Sequence, residues 1–383
     1  MIDKNLFELF EKLVRSIYSE DFIPLHRPVF DEHDKKNVAN CIDSNFVSSA
    51  GKEIASFEQK VSRYTCTKFA ISTVTGTAAL HVALKVLGVE AQDEVICPCL
   101  SFVATANAIK YCGAEPVFLD VEKQNGALCP IQLKKFLIEE TKFKNDTLIN
   151  KNTGRRIRAC IVMHTFGHPA QMEELSILCK KFMLPLVEDA AEALGSLSKG
   201  KHVGNLCDVA VYSFNGNKII TTGGGGMVTT NDPVLAKKLK HLTTTAKVPH
   251  KYEYFHDQLG FNYRMPNLNA CLGLNQMDQI EKFLISKRKV ANIYSDFFKQ
   301  TPFRFWSEPD NCESNYWLNT VSFSSSQEKH EFLEFTNSRN IMTRPVWALL
   351  SSLPYFKGCY IYGDQVAKSI YETTVNLPSS VPV

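Results

Sequence analysis

The sequence predicts an α/β protein in which a mostly parallel sheet is covered by helices on both faces and is followed by a smaller α+β domain. Three observations predict this. From about residue 69, short apolar runs bounded by turns alternate with helical patterns, as strand–helix–strand units require. After about residue 265 that rhythm stops and a long helical stretch begins. The chain has 383 residues, 44% hydrophobic and 22% charged, enough for a large core and a second, smaller one.

Each element follows in order. In "LFELFEKLVRSI" the residues Leu6, Phe10, Leu13 and Ile17 form one stripe, so residues 1–21 should carry an amphipathic helix that packs on the body or on a partner subunit. Residues 22–265 hold the strand-like runs "FAISTV", "DEVICP", "EPVFLDV", "ACIVMH", "LPLVEDAA", "DVAVYSF" and "GGMVTTND". Between them lie the helical runs "GTAALHVALKVLG", "FVATANAIKYCG" and "QMEELSILCKKF", with "PVLAKKLKHL" after the last strand. The polar "EETKFKNDTLINKNTGRRIR" reads as a long loop or hairpin. Residues 266–383 open on "NLNACLGLNQMDQIEKFLISKRKVANIYSDFFKQ", continue with strand-like "YWLNTVSFS" and helix-like "QEKHEFLEFTNSRN", and form the small domain.

Composition excludes several classes. The net charge is +3, from 43 basic and 40 acidic residues spread along the chain, so neither a nucleic acid nor an acidic membrane surface is an expected partner. No apolar run approaches the roughly 18 to 20 residues of a membrane span, and "MIDKNLFELFEK" does not read as a secretory signal. A cytoplasmic chain is expected. The twelve cysteines are scattered without a C-x-x-C pair and read as free thiols. Cys97 and Cys99 alone lie close together, too few ligands for a metal site.

The chemistry-bearing stretch is "SFNGNKIITTGGGGM", residues 213–227. A nucleotide-triphosphate loop places its glycines before the lysine and a Ser or Thr after it. Here Lys218 comes first and Ile219 follows, and no G-x-G-x-x-G opens the first βα unit, so nucleotide and dinucleotide loops are excluded. A lysine near a strand end can instead reach a ligand at the carboxyl edge of the sheet and react through its amine; alone, it reads equally as a solvent-facing loop residue. In "LPLVEDAAEALGS" an apolar strand ends in Glu188 and Asp189, with Glu192 beyond. A buried carboxylate needs a partner, unless Asp189 merely caps the next helix. A protonated pyridine nitrogen would serve: at about 4 Å and an effective dielectric near 20 the attraction is about 4 kcal/mol before desolvation. In "TGTAALHVAL", Gly76 permits close backbone approach and Thr77 opens a helix whose free N–H groups favour a phosphate, although Thr75 and Thr77 also read as plain caps. A phosphate site, a pyridinium carboxylate and an imine-forming lysine are together the contacts that pyridoxal phosphate demands.

In that order, "TGTAALHVAL", "FVATANAI", "GAEPVFLDV", "EDAAEALGS", "YSFNGNKIITTGGGGMVTTND" and "GFNYRMPNLNACLGLNQ" resemble the DegT/StrS family of pyridoxal-phosphate nucleotide-sugar aminotransferases, from about residue 22 to the end. The resemblance implies the fold-type I architecture, with a seven-stranded, mainly parallel sheet and a small C-terminal domain. It also implies a homodimer whose active sites are shared between subunits. Lys218 would form the Schiff base with the cofactor, and Asp189 would pair with its ring nitrogen. Glu192 would lie near the phenolic oxygen, Phe102 would stack on the ring, and Gly76, Thr77 and Ser213 would hold the phosphate together with Asn262 from the neighbouring subunit. Gly224 departs from the family's frequent G-E-G-G. Family dehydratases carry a histidine in place of the lysine, and Lys218 argues against that chemistry.

"DFIPLHRPVF", "CIDSNFVSSAGKEIASFE", "HLTTTAKVPH", "SNYWLNTV" and "MTRPVWALL" further resemble the subgroup of legionaminic-acid and related bacterial sugar pathways. That subgroup implies transfer of an amino group from L-glutamate to C-4 of a UDP-linked 4-keto-6-deoxy-N-acetylhexosamine. Candidate substrate residues in those stretches are Arg27, Ser48, Lys247, Arg264, Tyr316, Arg344 and Trp347; the basic ones read equally as salt-bridge residues and the aromatic ones as core. His81 reads as a packing residue and His164 as a second candidate for the pocket wall. The rival readings are amination at C-3, a dTDP- or GDP-linked sugar, and a non-catalytic ligand sensor of the same fold.

Overall fold

The computed structural model describes residues 4–382; residues 1–3 and 383, the outer ends of the first and last expected segments, lie outside the described residues. Helix α1 (Lys4–Ile17) buries Phe7, Phe10 and Val14, flanked by half-buried Leu6, Leu13 and Ile17. Its apolar face meets the far end of the chain, with the Phe10 ring 5.0 Å from Phe332 and 5.9 Å from Tyr294. Helix α2 (Glu32–Asp43) starts at a capping box built by Asp31 and Asp34, and α3 (Lys52–Tyr64) leads into the sheet.

The alternation then runs β1 (Phe69–Thr73), α4 (Gly76–Val86), β2 (Glu94–Pro98), α5 (Val103–Tyr111), β3 (Glu115–Leu119) and α6 (Pro130–Glu139). The polar insertion is a hairpin, β4 (Thr141–Lys144) and β5 (Thr147–Asn150), turned by Asn145 and Asp146, both at positive φ. Two consecutive left-handed residues match the twist of paired strands, which is why Asn and Asp occur there. Next come β6 (Ile157–Met163), α7 (Met172–Lys181), β7 (Leu186–Asp189), the short β8 (Leu197–Ser198) and β9 (Lys201–His202), β10 (Val209–Ser213), β11 (Gly226–Thr230) and α8 (Pro233–Thr243). The last part holds α9 (Asn267–Phe298), β12 (Arg304–Phe305), β13 (Cys312–Glu313), β14 (Asn319–Ser322), α10 (Ser326–Asn337), β15 (Arg344–Pro345), β16 (Tyr360–Ile361), α11 (Gln365–Thr373) and β17 (Thr374–Leu377).

The large sheet has the order β1-β11-β10-β7-β6-β2-β3-β16. It therefore has eight strands where seven were expected, because the two-residue β16 returns from the C-terminal part to extend the β3 edge in parallel. Strand β11 runs antiparallel to both its neighbours, while β10, β7, β6, β2 and β3 are parallel to one another. Alternate residues of these strands enter two different cores. Val95, Cys97, Phe118, Ala159, Ile161 and Val187 join the layer of α4 and α5, whereas Ile96, Val117, Leu119, Cys160, Val162 and Leu186 join that of α6 and α7. That period of two, apolar on both faces, defines a sheet covered on both sides.

A third core gathers Phe7, Phe10 and Val14 of α1 with Tyr294, Val321, Phe332 and Val375. It lies against the antiparallel sheet β12-β14-β17-β15. All twelve cysteines are unpaired thiols. Among the described residues no helix is long and apolar enough to cross a membrane, and no cluster of His, Cys, Asp or Glu has the makings of a metal site.

Candidate active site

The carboxyl ends of β1, β10, β7 and β6 share one edge of the sheet, where residues leaving the strands are free to meet. A cavity of about 780 Å³ opens there. Its wall includes Gly76, Thr77, Phe102, Asp189, Glu192, Ser213 and Lys218, and from the C-terminal part Trp317, Arg344, Trp347 and Asn376.

Lys218 lies on the connection from β10 to β11. Its side chain is 12% exposed, and its Nζ donates to Glu192 Oε1 at 3.2 Å. Glu192 is anchored by its other oxygen, which accepts from Phe166 N at 3.0 Å. Burial pushes the Glu192 carboxyl up to about 7, against the opposing pull of Lys218 and the Phe166 amide. Asp189 is 2% exposed; Oδ2 accepts from Thr105 Oγ1 at 2.8 Å and Oδ1 from Ala191 N at 3.3 Å. Burial raises its pKa above the ordinary value, because these two bonds and the charges of Lys218 and His164 offset the desolvation incompletely.

At the other end of the cavity, Gly76 and Thr77 form the first turn of α4, which Thr75 caps by accepting from Ala78 N at 3.0 Å. A Cβ on Gly76 would lie 3.0 Å from Ser213 Cβ, so glycine lets β10 and the helix start come together. In the glycine run, Gly223 adopts φ +79° and Gly226 lies so close that a Cβ would meet Thr75 O at 2.5 Å. Gly224 is different. A Cβ there would find Val74 O only at 4.0 Å, so the residue where the family often carries an acid has room for one.

Phe102 stands 48% exposed at the start of α5, its ring 6.1 Å from that of Trp347. Trp347 in turn packs 4.6 Å from Phe166. Arg344 also lines the cavity, with Nη1 donating to Asn337 Oδ1 at 2.8 Å and Thr343 O at 2.9 Å. The other sequence candidates lie outside the cavity of their own chain. Arg27 pairs with Glu20, the exposed Ser48 offers its carbonyl to Asn267 N, and Lys247 covers the Tyr254 ring at 3.8 Å. Arg264 and Asn262 are exposed. Tyr316 belongs to the core, because its φ of +47° turns the chain so that the ring stacks on Phe305. His164 is buried against Glu188 at 3.0 Å and does not reach the wall, and His81 packs against Phe261 and Tyr263.

Three further wall residues, absent from the sequence candidates, bring chemistry to the cavity. Trp317 directly follows the chosen Tyr316, and Asn376 pairs in register with Arg344 across β15 and β17. His26 precedes the chosen Arg27; its two ring nitrogens are sheltered from water and have no partner. Burial, then the charges of Lys287 and Lys218, keep its imidazole well below the usual histidine range and hence neutral. An orphaned imidazole is a signal that only coordinates reveal.

The donor set fits pyridoxal phosphate. A buried carboxylate with unfilled acceptor capacity suits a ring N–H, an amine lies in the same cavity, and a helix start beside Ser213 suits a phosphate. Comparisons with known proteins agree. The model of the DegT/DnrJ/EryC1/StrS aminotransferase family matches residues 28–383. The chain is 34% identical over 358 residues to GDP-perosamine synthase of Escherichia coli O157:H7, covering 94% of this chain and 93% of that protein. It is 32% identical over 258 residues to UDP-4-amino-4,6-dideoxy-N-acetyl-β-L-altrosamine transaminase of Campylobacter jejuni, covering 67% and 65%. Among solved structures it resembles Helicobacter pylori PseC, an aminotransferase involved in the biosynthesis of pseudoaminic acid, with TM-score 0.84, 26% identity and 93% of each chain covered. The chain belongs to the DegT/DnrJ/EryC1/StrS aminotransferase family and is a pyridoxal-phosphate-dependent sugar aminotransferase.

Proposed function

We propose that the enzyme transfers the amino group of L-glutamate to C-4 of a nucleotide-linked 4-keto-6-deoxy-N-acetylhexosamine, carried on UDP. The observation that carries this reading is the meeting of Lys218, Asp189 and the α4 start in one cavity, with a second wall of Trp317, Arg344 and Trp347 wide enough for a sugar. The N-acetyl sugar and UDP rest on the subgroup motifs and on the name of the Campylobacter relative. A GDP-linked sugar is the second reading, favoured by the higher identity to the Escherichia and Vibrio proteins named GDP-perosamine synthase.

Pyridoxal phosphate, when bound, supplies an electron-accepting ring and a carbonyl that condenses with amines. Asp189 would hold a proton on the ring nitrogen, a role that suits a carboxylate with unfilled acceptor capacity. The first-turn N–H groups of α4, with Thr77 and Ser213, would hold the phosphate, and Phe102 would pack on the ring. Lys218 would hold the cofactor covalently through its amine, and that amine, when free, would serve as the base for the donor's α-carbon proton. Glu192 orients the Lys218 amine through the 3.2 Å contact. Arg344 and Trp347 engage the nucleotide sugar. Two copies of the chain form a dimer in which the exposed Asn262 serves the neighbouring cavity, and the enzyme works in the cytoplasm.

Incubation with glutamate and a panel of UDP-, GDP- and dTDP-linked 3- and 4-ketosugars, with mass and NMR analysis of the products, tests the reading. The expected result is a UDP-linked 4-amino sugar and one 2-oxoglutarate per amine. Turnover of GDP-linked sugars alone would replace it by the second reading.

A further inference from the structure

We propose that Trp317 is the positioning residue of the reactive amine, keeping Lys218 at the reaction centre whenever it is not covalently engaged. This rests on the reading of Lys218 as the reactive lysine. Lys218 Nζ lies 3.7 Å from the centre of the Trp317 ring and 3.2 Å from Glu192 Oε1, so an acid and an aromatic face hold the same nitrogen. A lysine that forms and releases a bond in every turnover must come back to one place, yet its four-carbon stem has many rotamers. Attraction to an aromatic face grows where water is excluded, and Trp317 is 4% exposed.

The indole is itself fixed. Its Nε1 donates to Asn217 O at 2.6 Å, its backbone N donates to Asn315 Oδ1 at 2.8 Å, and its carbonyl accepts from Lys287 Nζ at 3.2 Å. Asn217 immediately precedes Lys218, so the first bond ties the indole to the backbone that carries the amine. Lys287 is fully buried and also donates to Ser379 O, bracing Trp317 against the C-terminal segment from behind. Register between ring and amine is therefore set from both sides. An aliphatic residue of similar bulk would fill the space but offer no negative face to the ammonium; phenylalanine would keep the face and lose the Asn217 bond.

That contrast makes the test. Cofactor-stripped parent protein, W317F and W317L are mixed with pyridoxal phosphate, and the lysine-linked chromophore is followed by stopped-flow absorbance, with kcat and the KM for glutamate measured on the reloaded enzymes. W317L is expected to capture the cofactor about tenfold more slowly at unchanged final stoichiometry, and W317F no more than about threefold more slowly. The kcat should fall in the same order, with the KM for glutamate moving less than about twofold. Equal slowing in both variants, or capture by W317L as fast as by the parent, overturns the proposal. Should W317L not fold, tryptophan carrying one, two or three fluorines is incorporated instead: it keeps the shape and weakens the ring's negative face stepwise. Capture that slows with each fluorine supports the proposal; a flat series overturns it. Failure of the parent protein to capture any cofactor would instead overturn the assignment of Lys218.

Discussion

Glu188 and Asp189 are neighbours on β7, both buried, and have opposite fates. Glu188 follows Leu186 in strand parity toward the α6/α7 side, where it accepts from His164 Nε2 at 3.0 Å, Gly204 N at 2.5 Å and Leu206 N at 3.0 Å. Burial alone would raise it, yet these partners, His164 first, bring its pKa below the ordinary value. Asp189 follows Val187 toward the α4/α5 side, has a hydroxyl and one long amide bond, and stays raised beside the cavity. Both carboxylates are equally withdrawn from water. Burial therefore does not separate these two acids; unfilled acceptor capacity facing a cavity does.

Four substitutions break or sharpen that contrast. The largest effect is expected on the cavity side, from Lys218→Ala: multiple turnover should fall by about 10⁴-fold or more, and the protein should no longer give a borohydride-stable cofactor adduct by mass spectrometry. On the closed side, Glu188→Ala strands His164 and two amides, and should lower unfolding stability by about 3 to 5 kcal/mol in a urea titration while the turnover of folded, cofactor-loaded enzyme stays within about twofold. Asp189→Asn is the converse, slowing both half-reactions by about 100-fold or more with the unfolding midpoint little changed. Near-normal turnover there would remove Asp189 from the chemistry.

The smallest effect concerns Glu192. Its folded pKa, about 7, lies above the ordinary 4.5, so its stabilising contribution is complete below about pH 4.5 and is lost as pH rises through 7. Cofactor-free parent protein should therefore lose about 2 kcal/mol relative to Glu192→Gln between pH 5.5 and 8. Parallel stability curves for the two proteins would show that Glu192 ionises normally and that the neighbouring Lys218 has compensated the burial in full.

Much of the fold was legible because its signals are local. The seven long strands announced themselves through apolar runs between turn residues, while the polar insertion read as a loop or a hairpin until the structure showed the Asn145–Asp146 turn. The eighth strand was not legible: Tyr360–Ile361 is two residues long, and its pairing with β3 reaches back more than 200 residues. The near wall of the site was legible for the same reason as the strands. Asp189 ends strand β7, Gly76 opens helix α4, and Lys218 lies on the glycine-rich connection between β10 and β11, each within a short recognisable motif. On the far wall the reading chose Tyr316 and Arg27 where the structure presents Trp317 and His26. At residue 316 a left-handed backbone interrupts strand alternation, and periodicity loses track of which side chain turns inward.

The amino-acid sequence by itself determined the sheet, the order of its helices and the motifs that carry the lysine, the carboxylate and the glycine-opened start of α4. Hydrogen-bonding backbone, apolar period and glycine placement act over a few residues, so a linear reading captures them. Tertiary structure alone decided that three donors close off Glu188 while Asp189 keeps acceptor capacity beside the cavity. It alone set an indole from residue 317 against an amine from residue 218, and left an imidazole near the N-terminus without a partner. Those outcomes depend on packing between segments that are not neighbours along the chain, where side-chain volume and burial set the answer and sequence spacing carries no distance.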